Sequence, residues 1–101
     1  MHEHGLAKEL WPQVRQVAEN QGFRRVTRIE MTVGALHGVS ADFLAHSFEH
    51  AFEADDSGRF ADAAVDVATV EPGQTLTAPG ADEPQTANGW ELMITRIEGD
   101  K

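Results

Sequence analysis

The apolar residues change from a helical spacing to strand alternation early in the chain. In residues 3–20 they recur every three or four positions, which predicts an amphipathic helix. In residues 25–34 they occupy every second position, which predicts a strand with one buried face. A helix followed by a half-buried strand has to pack in layers, with the helix covering the apolar face of the sheet.

The predicted helix contains one unfavourable residue. Pro12 cannot donate a backbone hydrogen bond and costs roughly 3 kcal/mol in a helix interior. Because Pro12 projects from the polar face, we expect a kink that bends the helix around the core. The alternative is a regular helix that starts near Trp11, with Pro12 in its first turn. The buried stripe is expected to contain Leu6, Leu10, Val14 and Val17.

Turn and capping residues indicate where the other elements lie. Ser40 is a suitable N-cap for a second helix over residues 41–53. Two further strands are predicted at residues 63–70 and 90–98. The segment 71–89 contains several Pro, Gly and acidic residues and few large apolar ones. We expect this segment to be a long loop or a loose hairpin.

The element order α-β-α-β-β predicts an α+β fold. We expect residues 1–101 to form one domain, a two-layer sandwich in which two helices pack on one face of a three-stranded sheet. Residues 99–101 are expected to be a tail. Because so small a sheet leaves edge strands near solvent, one edge could pair with a partner chain. A homo-oligomer is also compatible with the sequence.

The charge and hydropathy of the chain exclude several classes of function. Asp and Glu number 17 against 8 Lys and Arg, so the formal net charge is −9. Nucleic-acid binding needs clustered cations, which are missing, and an acidic membrane surface would repel the chain. No apolar run approaches the ~20 residues that span a bilayer. The start of the chain does not resemble a signal peptide, so we expect a cytoplasmic protein.

The sequence offers little for catalysis. It contains no cysteine, which excludes disulfides, thiolate zinc sites and thiol nucleophiles. The candidate serine nucleophiles, Ser40, Ser47 and Ser57, lie in no known nucleophile motif, and there is no phosphate-binding loop. The paired acids Asp55 and Asp56 are expected in a solvated loop, where little would shift their pKa values. We therefore expect a protein that is not an enzyme.

The first four residues, Met1-His2-Glu3-His4, have the composition of a terminal metal chelate. A free α-amine, adjacent deprotonated backbone amides and a nearby imidazole can form a square plane of nitrogens. This geometry suits Ni(II) or Cu(II) and does not suit zinc, magnesium or calcium. The alternative is that the chain begins with Met-His by chance, or that the histidines belong to an expression remnant.

Several segments, in the same order, resemble the HypA/HybF nickel-incorporation family. Met1-His2-Glu3 followed directly by an amphipathic helix is similar to the start of these proteins. The similarity covers residues 1–70 and 90–98. The further segments that carry it are Arg25-Val26-Thr27-Arg28-Ile29, Val33-Gly34-Ala35-Leu36, Gly38-Val39, the helix with Phe43 and Phe48, and Trp90-Glu91-Leu92 to Ile97-Glu98.

The resemblance implies a nickel metallochaperone. Such a protein binds Ni(II) at its N-terminus and passes it, with a GTPase partner, to the large subunit of NiFe-hydrogenase, or in some organisms supports urease. By position, His2 would supply the imidazole. The Met1 amine and the backbone amides of His2 and Glu3 would supply the other nitrogens. His4 lies outside the common motif and would be an extra ligand or simply a helix-start residue.

One segment departs from the family pattern. Family members carry a zinc ribbon with two Cys-x-x-Cys pairs between the last two strands. Residues 71–89 occupy that place and contain neither Cys nor His. Four thiolates hold such a zinc and order a loop that has no core of its own. We therefore expect no structural zinc in this chain.

Three more histidines are candidate ligands. His46 and His50 are spaced i, i+4 on the second helix, which can clamp a metal. Their helical phase places them on the solvent face near Glu49 and Glu53, so we interpret them as two solvated side chains that make weak i, i+4 contacts. His37 follows the first strand and could support the terminal site, although a turn histidine is more often only an exposed polar residue.

Two functions from different classes therefore remain open. The first is the nickel metallochaperone. The second is a metal-independent adaptor that keeps the fold and docks a hydrogenase subunit or maturation partner through a sheet edge. Titration with Ni(II) and partner capture with and without a chelator would separate them.

Overall fold

The computed structural model describes residues 3–101, and for residues 3 and 4 it describes the backbone alone. The main sheet and its two helices account for most of the chain, and a short ribbon is added to them. The elements are α1 (Glu3–Gln21), β1 (Arg25–Gly34), a 3-10 turn (Ala35–His37), α2 (Ala41–Ala54), β2 (Ala64–Val70), β3 (Thr75–Leu76), β4 (Gln85–Thr86) and β5 (Leu92–Asp100).

The main sheet has the strand order β2-β1-β5, so the first strand lies at its centre. β1 runs parallel to β2 and antiparallel to β5, and Ile29 lies opposite Val65 on one side and Ile97 on the other. A parallel pair needs a crossover connection, which α2 supplies. One cluster of buried residues joins both helices to β1. The predicted α+β fold, with two helices packed on a three-stranded sheet, is confirmed.

The first helix is continuous through Pro12. The alternative start near Trp11 is therefore wrong. Most of the predicted stripe is buried, but Val17 is 36% exposed and Ala18 takes the inward position. Val17 instead lines a surface depression beside Phe23. The prediction failed at Val17 because Ala18 continues the four-residue spacing of the buried stripe.

The second helix begins at the predicted N-cap. The Ser40 hydroxyl accepts a hydrogen bond from the backbone N–H of Phe43, as expected of a residue that satisfies a free helix donor. The apolar side chains that face the core are Leu44, Phe48 and Phe52. Phe43, in the first turn of this helix, is 64% exposed.

An aromatic cluster closes the core at the end of α2. Phe60, in the connection between α2 and β2, is only 1% exposed. Its ring lies 4.8 Å from that of Trp11 and 5.5 Å from that of Phe52, measured between centroids. The sequence patterns did not indicate Phe60, because it lies in a connection that has no helical or strand period.

The segment 71–89 forms a hairpin, which is one of the two alternatives expected for it. Thr75 pairs with Thr86 and Leu76 pairs with Gln85. The backbone pairing continues at the base of the hairpin, next to the two short strands, where the N–H of Ala87 donates to the carbonyl of Gln74 at 2.7 Å. Backbone hydrogen bonds and the burial of Ala87 therefore organise the hairpin.

The last strand is shifted from its predicted bounds of residues 90–98. It begins at Leu92 and extends to Asp100, so Gly99 and Asp100 are not part of a tail. The reason is non-local, since Arg25 at the start of β1 pairs with Asp100. The backbone N–H of Arg24 also donates to the Asp100 carbonyl at 2.7 Å.

Candidate metal centre

The predicted terminal ligands lie largely outside the described part of the chain. Met1 and His2 lie outside the described residues, and so do the side chains of Glu3 and His4. What the structure does place is the backbone that follows them, since α1 is described from Glu3 onward. The first backbone N–H groups of a helix have no intrahelical partner.

The core holds the helix that carries this terminus. Leu6, Leu10 and Val14 are at most 1% exposed and belong to the main hydrophobic cluster. Burial of each such side chain stabilises the folded state by roughly 1.5–3 kcal/mol. The N-terminal turns of α1 are therefore fixed to the domain by packing.

His37, one of the candidate ligands, contacts the turn that precedes β5. Its Nε2 atom lies 3.1 Å from the backbone carbonyl oxygen of Trp90. A carbonyl only accepts, so Nε2 carries the proton in this contact and donates it. The imidazole also packs edge-on against the Trp90 ring, with centroids 5.4 Å apart. In this arrangement His37 attaches the Trp90 turn to the end of β1.

Glu91 organises the same turn. Its carboxylate accepts hydrogen bonds from the backbone N–H groups of Asn88 and Gly89, both at 2.9 Å. The pKa of Glu91 lies below its ordinary value, mainly because the backbone N–H of Asn88 donates to its carboxylate. The Gly89 N–H and His37 also lower this pKa, whereas desolvation raises it. The Asn88-Gly89 pair is a turn signal in the sequence, but no local pattern indicates the role of Glu91.

His46 and His50 meet on the exposed side of α2. Their Nε2 atoms are 3.1 Å apart, and their rings are nearly perpendicular at 80°. The Nδ1 atom of His46 lies 3.6 Å from Glu49, and that of His50 lies 4.0 Å from Glu53. The predicted solvent exposure and the predicted contact between residues i and i+4 are both confirmed.

The candidate serine nucleophiles have structural roles. The Ser47 hydroxyl donates to the carbonyl of Phe43 at 3.0 Å within α2. Ser57 donates to the carboxylate of Asp55 and accepts from the backbone of Arg59, which shapes the loop after α2. In the part of the chain that the structure describes, no group of three or more His, Asp or Glu side chains is arranged to hold a metal.

Comparison with known proteins gives the family. The model of the family described as "Hydrogenase/urease nickel incorporation, metallochaperone, hypA" matches residues 1–76, which include the first three residues and both helices. The chain belongs to the HypA family. Because HypA proteins are metallochaperones, the expectation that this chain is not an enzyme agrees with its family.

Two known proteins illustrate the similarity. The hydrogenase maturation factor HypA of Azorhizobium caulinodans is 35% identical over 49 residues, which are 48% of this chain and 43% of that protein. The match thus spans less than half of that relative. The solution structure of the Ni metallochaperone HypA from Helicobacter pylori has a TM-score of 0.70 at 16% identity, covering 99% of this chain and 98% of that one. At this identity the likeness shows the fold.

The helices of this HypA-family chain do not have the character of membrane spans. Within residues 3–101, none is both long and apolar enough to cross a bilayer. This finding agrees with the composition, in which apolar residues are distributed over amphipathic elements.

Proposed function

We propose that this chain carries Ni(II) at its N-terminus in the cytoplasm and delivers it to the large subunit of NiFe-hydrogenase, together with a nickel-inserting GTPase. The ligands would be the Met1 amine, the His2 imidazole and the backbone amides of His2 and Glu3, with His4 as an extra ligand. The observation that carries the proposal is the family match, which begins at the first residue and so includes Met1-His2-Glu3.

The position of α1 supports a chelate at this point. The first backbone N–H groups of a helix have no intrahelical partner, so deprotonation of an amide that lies at the start of α1 would break no hydrogen bond within the helix. Two deprotonated amides would also carry two negative charges, which neutralise Ni(II). The positive end of the helix dipole then disfavours the complex much less than it would a bare cation.

The experiment is a calorimetric and spectroscopic Ni(II) titration of tag-free protein with an unmodified Met1. We expect one tightly bound, square-planar ion. His2→Ala should abolish that binding because it removes the imidazole, and acetylation of the Met1 amine should abolish it because it removes the terminal nitrogen donor. His37→Ala is the matched control, since it removes an imidazole placed elsewhere. Equal nickel binding by the parent and both terminal variants would show that the ligand assignment is wrong.

A second candidate function is the metal-independent adaptor. Among residues 3–101, the outer edges of β2 and β5 pair with no further strand, so either edge offers backbone donors and acceptors to a partner. Capture of the hydrogenase large subunit by the parent and by His2→Ala protein, each with and without a chelator, separates the two functions. Capture that is unaffected by either change favours the adaptor.

The hairpin at residues 71–89 bears on the proposed absence of structural zinc. It contains no cysteine, and backbone hydrogen bonds such as that from Gly73 to Ala87 hold its base. We expect purified protein to contain no stoichiometric zinc by elemental analysis, and its unfolding temperature to be unchanged by a chelator. One tightly held zinc per chain would contradict this expectation.

A further inference from the structure

Two imidazoles on α2 have the separation of a bidentate chelate. The Nε2 atoms of His46 and His50 lie 3.1 Å apart, and both side chains are more than half exposed. They are one helical turn apart, and α2 is fixed to the core by Leu44 and Phe48. The pair is therefore presented to solvent from a rigid element.

From this arrangement we infer a second metal site, distinct from the chain terminus, in which His46 and His50 hold one late first-row divalent transition ion. Imidazole nitrogens are suitable ligands for nickel, copper and zinc, whereas magnesium and calcium prefer oxygen. The inference does not depend on nickel binding at Met1, because it uses other residues.

The separation matches the geometry that such an ion requires. With metal–nitrogen distances of about 2.0–2.1 Å, two nitrogens 3.1 Å apart subtend about 100° at the ion. This angle lies close to that between neighbouring ligands of square-planar or octahedral ions. In the neutral pair, one Nε2 atom carries the proton of the hydrogen bond between the rings. Metal binding would replace this hydrogen bond by two metal–nitrogen bonds, and the donor ring would then carry its proton at Nδ1 instead of Nε2.

The carboxylates beside the pair support the same assignment. Glu49 lies 3.6 Å from the Nδ1 atom of His46, and Glu53 lies 4.0 Å from that of His50. Histidines that bind metals commonly direct their second nitrogen to a carboxylate, which orients the ring and increases its basicity. Glu49 and Glu53 also line a surface depression together with Asp62, so the local charge favours a cation.

The site is open, which determines the kind of binding. No third side chain completes it among the described residues, so water would fill the remaining positions. We therefore expect an exchangeable ion that is held less tightly than one in a four-nitrogen terminal chelate. Such a site would add a second, weaker binding step to a metal titration of the intact protein.

The test uses the full chain with a terminus that lacks both histidines. This protein, called the silenced protein below, carries one extra residue before Met1 together with His2→Ala and His4→Ala, so it cannot form the proposed terminal chelate. Titration with Ni(II), and separately with Cu(II), should show one ion per chain. Further substitution of His46→Ala or His50→Ala should weaken binding by roughly tenfold or more, since loss of an outer-sphere partner alone costs about that much. His37→Ala is the control and should bind as the silenced parent does. Alanine favours helix, so neither α2 variant should unfold, which circular dichroism checks.

Two results would overturn the inference. The first is that the silenced protein binds no ion. The second is that the His46→Ala and His50→Ala variants bind the ion with the same affinity as the silenced protein. Nickel binding at the terminus is tested separately, in protein that has the native terminus and carries both His46→Ala and His50→Ala. Tight nickel binding there with no weaker step in the parent would leave the terminal proposal standing and refute this one.

Discussion

Replacement of Gly34 by alanine should destabilise the fold by making two backbone segments collide. Gly34 ends β1, and its N–H donates to the carbonyl of Glu91 at 2.7 Å. A Cβ atom at this position would overlap the carbonyl of Gly89 and lie 2.6 Å from the amide nitrogen of Glu91. These atoms are backbone, so no side-chain rotation relieves the contact. The turn that carries Trp90 would have to move away from β1.

The magnitude follows from the overlap and the affected hydrogen bond. Overpacking of a tight contact costs typically 1–3 kcal/mol, and a lost hydrogen bond adds about 1 kcal/mol. We expect Gly34→Ala to lower the free energy of unfolding by about 2–4 kcal/mol, and the melting temperature by roughly 10–30 °C for a domain of this size.

A neighbouring glycine provides the control. Gly34 has an ordinary extended backbone, with φ −69°, so strain in φ plays no part there. Gly38 has φ +68° and open space where a Cβ atom would lie, so Gly38→Ala should cost only roughly 1–2 kcal/mol of left-handed strain. Urea unfolding measures both losses, and the indole N–H signal of Trp90 reports movement of the turn. The reasoning fails if Gly34→Ala is no less stable than Gly38→Ala, or if that signal does not shift.

Two further predictions concern the Trp90 turn and the aromatic cluster. Because the pKa of Glu91 is lowered in the folded state, its carboxylate contributes stability above its ordinary value of 4.5, and this contribution is lost as the pH falls through the folded value. Glu91→Gln should therefore reduce the loss of unfolding free energy on acidification, and identical pH profiles for the two proteins would contradict this. Phe60→Ala should cost about 3–5 kcal/mol, since the ring is buried against Trp11. Thermal unfolding measures that cost, and a loss below about 1 kcal/mol would show that Phe60 is not part of the core.

The helices and strands could be predicted because their signals are local. The stripe of Leu6, Leu10 and Val14 and the alternation of β1 repeat within a few residues, and Ser40 caps α2 through a neighbouring backbone group. The errors lie where distant residues decide. β5 extends to Asp100 because the start of β1 provides a partner, and no pattern within residues 90–101 contains that information.

Of the two candidate metal sites, one could be recognised from adjacent residues and the other depends on side-chain geometry. A terminal chelate is formed by covalently adjacent groups, so Met1-His2-Glu3 is recognisable without a fold. The i, i+4 spacing of His46 and His50 predicts a weak contact between them, but the distance between their Nε2 atoms depends on the side-chain conformations that α2 allows.

The amino-acid sequence was enough to determine the order of the elements, the acidic charge and the resemblance to HypA proteins, since each is written in neighbouring residues or in composition. The tertiary structure decided that β1 lies between a parallel and an antiparallel neighbour, that Phe60 is buried, and that Gly34 meets Gly89. These features arise from contacts between residues far apart in the chain. Such contacts form only when the whole core packs, because each one is stabilised by the burial of the others.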